Sequence, residues 1–227
     1  MKKRIGLFVG GSTDQNLSDE YKNAAILLGK KMNERKYTII FDGCHGLPCL
    51  AYQQLDDCND GLIIYDDYYQ KPDFEKILSY PGITLFYGPQ IRSLDKQSDV
   101  TRALINAGDA LFFMKGGMGT IAEIVQAIDR KRNQEHDKPI VILNLNHSWD
   151  ELVALLDSYN LKDLYYVTDN VIDGLNYIEK ELYDKNSKFY CNYLKYGSVC
   201  ERDYPIIEEL PNKKNPILKK EKSIVSI

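Results

Sequence analysis

At 227 residues the chain can bury one substantial core, and 44% hydrophobic with 27% charged residues is an ordinary globular composition. No run reaches the length of a membrane span and no charged, apolar, small-residue leader opens the chain, so a cytoplasmic protein without a membrane partner is expected. A net charge of −4 argues against a general nucleic-acid binder, so any phosphate has to be held by local groups.

In chain order, Ile5 to Val9 reads as a strand that ends in the small-residue turn Gly10-Gly11-Ser12. A helix follows, with Ser18 as N-cap, Asp19 and Glu20 in its first turn, and Tyr21, Ala24, Ala25, Leu28 and Met32 on its buried face. The next strand is Tyr37–Phe41, closed by Asp42-Gly43-Cys44-His45-Gly46-Leu47, and Pro48 to Leu55 reads as helix. Strands are expected at Gly61–Tyr65 and Ile83–Tyr87, with a short helix at Asp73–Leu78 between them. A helix from Ser98 to Ala107 leads into a buried strand, Asp109–Phe113. Beyond the turn that follows, Ile121, Ile124, Val125 and Ile128 form an apolar stripe at helical spacing. Pro139–Leu143 is a further strand, Trp149 to Tyr159 a helix, Asp163 to Val167 a last strand and Val171–Tyr183 a last helix. Such alternation implies an α/β, Rossmann-like, doubly wound and mostly parallel sheet with helices on both faces. In such sheets ligands bind beyond the carboxyl ends of the strands, where strand order reverses.

Three glycines sit where the strand ending at Phe113 turns into the next helix, in Lys115-Gly116-Gly117-Met118-Gly119-Thr120-Ile121-Ala122-Glu123. Glycine admits close backbone approach to a phosphate, and a helix start aims N–H groups and partial positive charge at it. Glu123, one turn in, then stands as a carboxylate beside a bound phosphate, an arrangement suited to bond breaking on a sugar phosphate. The alternative is tight packing at the turn, with Glu123 complementing the helix dipole.

The cysteines, Cys44, Cys49, Cys58, Cys191 and Cys200, are odd in number, lack zinc-ribbon spacing and share the chain with three histidines, so reduced thiols and no metal site are expected. Residues 1–183 read as the nucleotide-binding domain and 184–227 as a C-terminal extension or tail. In the latter, Tyr190, Tyr193 and Tyr196 recur at three-residue spacing, and the lysines after Pro211 give a local charge of +4, leaving −8 on the rest.

The string Gly-Gly-x-Gly-Thr-x-x-Glu resembles the Pro-Gly-Gly-x-Gly-Thr-x-x-Glu motif of the Lonely Guy (LOG) family. Those are nucleoside 5′-monophosphate phosphoribohydrolases once described as possible lysine decarboxylases. The similarity covers about residues 4–180 and is strongest at the three turns; the Gly-Ser turn at Gly11-Ser12, the helix Tyr and paired Ala24-Ala25, and Gly43, Gly46 and Leu47 match the family pattern. It implies hydrolysis of the N-glycosidic bond of a nucleoside 5′-monophosphate to free base and ribose 5-phosphate, with no cofactor. Glu123 would stabilise the oxocarbenium-like sugar. Gly10, Gly11, Ser12, Gly43, Lys115, Gly116, Gly117, Gly119 and Thr120 would bind the phosphate and nucleotide; apart from the resemblance, Asp42, which stands where the family usually has glycine, is expected near the ribose or base. The family places its site near a subunit interface, which implies a homodimer.

Two departures stand out. Lys115 replaces the family's proline, restoring an N–H and placing an ammonium at the turn. The family's Arg-Lys pair is absent; its arginine position counts back to Val100, and the candidates are Arg102, two residues later, and Arg92 or Lys96 upstream, with Arg102 taken as the catalytic arginine. Two alternatives follow. One is a nucleoside deoxyribosyltransferase-like enzyme, which this chain resembles in Asp109-Ala110, Gly119-Thr120-x-x-Glu123, Ala127 and Lys138-Pro139. The other is a non-catalytic nucleotide-sensing or cofactor-carrier module of the same fold.

Overall fold

The computed structural model describes residues 5–14, 16–42, 45–55, 61–65, 83–87 and 96–183. The elements in chain order are β1 (Gly6–Gly10), α1 (Asp19–Arg35), β2 (Thr38–Phe41), α2 (Leu47–Tyr52), β3 (Gly61–Tyr65), β4 (Ile83–Tyr87), α3 (Lys96–Ala107), β5 (Ala110–Phe113), α4 (Met118–Arg132), β6 (Ile140–Leu143), α5 (Asp150–Ser158), β7 (Tyr166–Thr168) and α6 (Val171–Tyr183). The expected helix at Asp73–Leu78, Gly43 and the segment 184–227 lie outside the described residues.

The strands form one sheet in the order β4-β3-β2-β1-β5-β6-β7, and every pair is parallel. The doubly wound, Rossmann-like α/β architecture read from the alternation is therefore present. From β1 the chain builds outward through β2, β3 and β4, then crosses back to place β5 on the other side of β1. The reversal between β1 and β5 opens a crevice at their carboxyl ends. The register Gly10↔Phe113 brings the turns that follow these two strands side by side.

Because successive strand residues face opposite sides, the sheet feeds two cores. Leu7, Val9, Ile39, Phe41, Phe112 and Val141 pack with α1, α2 and α6. Phe8, Ile40, Leu111, Phe113, Ile140 and Ile142 pack with α3, α4 and α5. Strands β1, β2, β5 and β6 are buried on both faces, which is why they read as unbroken apolar runs.

Some sequence expectations shift. Residues Lys162–Leu164 form a 3-10 turn, so the last strand is Tyr166–Thr168 rather than 163–167. The apolar string Leu164 to Val167 carries no mark of where the turn ends. The helix after β2 stops at Tyr52, short of Leu55. On α4, Ile124, Ala127 and Ile128 are buried, whereas Val125 is 44% exposed; the sheet covers a narrower arc than the apolar stripe spans. On α1, Ala25, Leu28, Gly29 and Met32 are buried, with Tyr21 and Ala24 packed partly buried at the edge.

At the opposite end of the sheet, Lys138 is buried and its Nζ donates to the carbonyls of Ile105 (2.6 Å) and Asn106 (2.7 Å), capping α3 with a cation. Beside it, His136 pairs Nε2 with the Ala127 carbonyl (3.1 Å), and its Nδ1 accepts the Lys138 N–H (3.2 Å). Burial, with Lys138, Arg130 and Lys131 nearby, lowers the His136 pKa to about 3 from 6.5. The unfolded chain then binds the extra proton below pH 6.5 while the folded chain does not. Stability from the neutral ring is complete above pH 6.5 and falls toward pH 3, at about 1.4 kcal/mol per pH unit. Urea unfolding at pH 7 and pH 5 is expected to show a larger stability loss for wild type than for His136→Gln. Equal losses would remove His136 from the acid response.

Candidate functional site

Main-chain hydrogen bonds stitch three turns together above the crevice. Ser12 N donates to the Lys115 carbonyl (2.7 Å), Met114 N to the Gly10 carbonyl (2.9 Å) and Leu47 N to the Ser12 carbonyl (3.0 Å). The turns after β1, β2 and β5 therefore meet as one surface. Gly46, at φ +97°, has the left-handed backbone that lets the third turn close on the Ser12 carbonyl, where a β-carbon would collide. The Ser12 hydroxyl accepts the Asp14 N–H (3.0 Å), which fixes the turn that leads to α1.

The anion-binding features converge at the start of α4. Gly117 occupies the N-cap without a side-chain cap, and the first turn holds no acidic residue. The first helical bond runs from Ile121 N to the Gly117 carbonyl (3.0 Å), so the amides of Met118, Gly119 and Thr120 precede it and point out of the helix start. A β-carbon at Gly117 or Gly119 would meet nothing within 4 Å, so the space over these amides is open. Thr120 is buried, its side chain packed against Gly116. Arg130, Lys131 and Arg132 occupy the last turn of α4, matching its negative end.

Glu123 lies on the second turn of α4 and leans across to the end of β1. A β-carbon at Gly10 would come within 2.8 Å of Glu123 Oε2 and 2.7 Å of the Phe113 ring. The carboxylate thus occupies the room that Gly10 leaves by having no side chain. Gly11 packs on Leu47, Pro48 and Met114. Asp42 follows β2, partly buried.

Lys115 is half-buried. Its Nζ donates to the Ser148 carbonyl (3.4 Å) and stands 5.5 Å from the centroid of the buried Trp149 ring. The residue standing in the proline's place therefore ties the glycine turn to the loop after β6. Arg102 is exposed on α3. Helices α3 and α4 run in the same direction, and the Arg130 guanidinium donates to Asn106 Oδ1 (2.8 Å), tying their C-terminal ends together. Val100 itself packs against the core.

The loop 144–149 was not singled out from sequence. Its signal is a polar string, Asn144-Leu145-Asn146-His147-Ser148, at the carboxyl end of a buried strand. It stands next to the β5 turn because β6 pairs with β5.

Residues 94–179 match a family model described as "Possible lysine decarboxylase". The probable cytokinin riboside 5′-monophosphate phosphoribohydrolase LOG6 of Arabidopsis thaliana is 26% identical over 156 residues, covering 68% of this chain and 73% of that protein. The cytokinin riboside 5′-monophosphate phosphoribohydrolase LOG1 of the same plant is 27% identical over 156 residues, covering 68% of each. Among solved structures, the molybdenum cofactor carrier protein of Chlamydomonas reinhardtii superposes with a TM-score of 0.55 at 17% identity, covering 78% of this chain and 98% of that one. At that identity the likeness concerns the fold. The Lonely Guy resemblance read from the glycine motif is thus borne out by a family match that spans the motif and by the curated relatives.

Proposed function

We propose that this Lonely Guy-like chain hydrolyses the N-glycosidic bond of a nucleoside 5′-monophosphate, releasing the free base and ribose 5-phosphate. The observation that carries the reading is the Glu123 carboxylate set against Gly10, beside the open start of α4. A 5′-phosphate on the amides of Gly117 to Thr120 would place the ribose toward the β1 end, where Glu123 stands. As the base departs, positive charge spreads over the sugar ring oxygen and anomeric carbon, and a fixed carboxylate stabilises it. The same carboxylate orients the attacking water. Names of the curated relatives agree with this chemistry.

Arg102 is proposed as the cation that reaches toward the nucleotide from α3, in place of the missing pair. We further propose a cytoplasmic homodimer; Met118, 77% exposed, and Val125, two turns further along the same side of α4, offer an apolar strip beside the site. The test is incubation with a panel of nucleoside 5′-monophosphates followed by chromatography. Free base and ribose 5-phosphate in equal amounts are expected from at least one member. A second reading, a carrier or sensor without turnover, draws support from the fold shared with the cofactor carrier and from the exposure of Arg102 on α3. It calls for a tightly bound ligand recovered unchanged. Transfer of the sugar to an added second base would instead support the deoxyribosyltransferase-like reading.

A further inference from the structure

The loop between β6 and α5 departs from ordinary backbone geometry. Asn146 (φ 51°) and His147 (φ 58°) are consecutive non-glycine residues in the left-handed region. Asparagine and histidine are among the side-chain-bearing residues found most often in this conformation, yet glycine would rest there without strain. Surrounding bonds fix the loop. The Asn146 amide donates to Glu20 at the start of α1, and the Tyr21 hydroxyl donates to the Leu145 carbonyl (3.5 Å). Asn144 Nδ2 donates to Asp150 Oδ1 (2.7 Å), its Oδ1 accepts the Trp149 N–H (2.7 Å), and its own N–H donates to the Thr168 carbonyl (2.7 Å). Asp150 Oδ2 in turn lies 3.1 Å from His147 Nδ1.

The imidazole of His147 is 87% exposed. An exposed pair of this kind contributes little stability. Its position gives it a different use. The loop follows the strand next to β5, about 5 Å over, and Lys115 of the glycine turn reaches the Ser148 carbonyl. The loop that carries the ring therefore stands at the same carboxyl-end edge of the sheet as the glycine turn, on the opposite side of that turn from β1. Asp150 on α5 pairs with the ring, while Glu20 on α1 and Lys115 after β5 contact the residues on either side of it, Asn146 and Ser148.

We propose that His147 donates a proton to the departing base, with Asp150 and Asn144 as the residues that position it. The inference rests on the hydrolase reading. In the step, the bond from the anomeric carbon to the base nitrogen breaks and its electron pair passes to the base. The imidazolium Nε2–H supplies the proton to a base nitrogen, water adds to the anomeric carbon, and the proton released by that water returns to solvent, from which His147 is recharged. The Asp150 carboxylate, 3.1 Å from Nδ1, accepts the hydrogen on that nitrogen and so leaves Nε2 as the one that carries the transferred proton.

The experiment compares wild type with His147→Gly on two substrates. One is whichever nucleoside monophosphate the panel identifies; the other is the 4-nitrophenyl glycoside of ribose 5-phosphate, whose leaving group departs as a stable anion. Glycine relieves the left-handed backbone, so the variant is expected to melt no lower than wild type. Turnover of the nucleotide is expected to fall about 100-fold, the scale of general acid catalysis, and at least ten times more than turnover of the nitrophenyl glycoside. Equal losses on both substrates, or no loss on either, would overturn the proton-donor role while leaving the hydrolase intact. A wild-type protein that releases no base from any monophosphate overturns both.

Discussion

Glu123→Gln is expected to keep the fold and most of the ligand affinity while base release falls by about two orders of magnitude or more. Glutamine has the same shape, so it can fill the room beside Gly10 that the carboxylate occupies. What it lacks is the negative charge. The oxocarbenium-like transition state carries positive charge that the bound nucleotide does not, so a fixed carboxylate favours the transition state over the ground state. Groups that act in this way contribute about 3 kcal/mol singly, the equivalent of roughly a hundredfold in rate. The measurement is steady-state base release alongside calorimetric binding of the same monophosphate. A drop in kcat with little change in affinity supports the assignment. Full activity in the variant would reduce Glu123 to a carboxylate near a helix start. Loss of binding without loss of kcat would move it from charge stabilisation to ligand contact.

The centre of the sheet was legible because β1, β2, β5 and β6 are buried on both faces, and buried parallel strands leave short apolar runs separated by helical periodicity. The glycine turns were legible for a related reason: backbone that must approach a ligand or a neighbouring turn excludes side chains, and the exclusion is written as glycine. Gly10 marks the approach of Glu123, and Gly46 marks the closure on Ser12. The loop 144–149 left no such trace, because its left-handed positions are held by Asn146 and His147 and stabilised by partners distant in sequence, Glu20 among them. Lys138 reads as one more surface lysine until the two carbonyls at the end of α3 are seen around its ammonium. Lys115 is similar: the sequence places an ammonium at the glycine turn, and only the fold puts Ser148 and Trp149 within its reach. The unequal burial of Ile124 and Val125 depends on how wide a strip the sheet covers, a property of helix packing that adjacent apolar residues do not encode.

Gly117→Val is expected to fold and to lose nucleotide binding. The backbone there is extended, φ −98° and ψ −156°, a conformation valine adopts readily, and a β-carbon meets no atom within 4 Å. The expected stability cost is that of a poorer N-cap, about 1 kcal/mol or less. Yet the two added methyl groups would stand in the open space over the amides of Met118, Gly119 and Thr120, where a phosphate has to approach. No cation in the described turn can replace those amides without rearrangement, because Lys115 reaches away to the Ser148 carbonyl. The decisive comparison pairs each protein with a nucleoside and with its 5′-monophosphate. In wild type the phosphate is expected to tighten binding by several kcal/mol through charge-assisted hydrogen bonds, at least a hundredfold in Kd. In Gly117→Val that advantage is expected to vanish while the thermal midpoint moves by only a few degrees. A wild-type protein that handles nucleoside and monophosphate alike would show that the glycine turn does not hold a phosphate, and the weight would then pass to sugar transfer between bases. A variant that keeps the phosphate advantage would place the phosphate elsewhere on the crevice, and Glu123 would have to be reconsidered with it, since its distance from the sugar follows from where the phosphate sits.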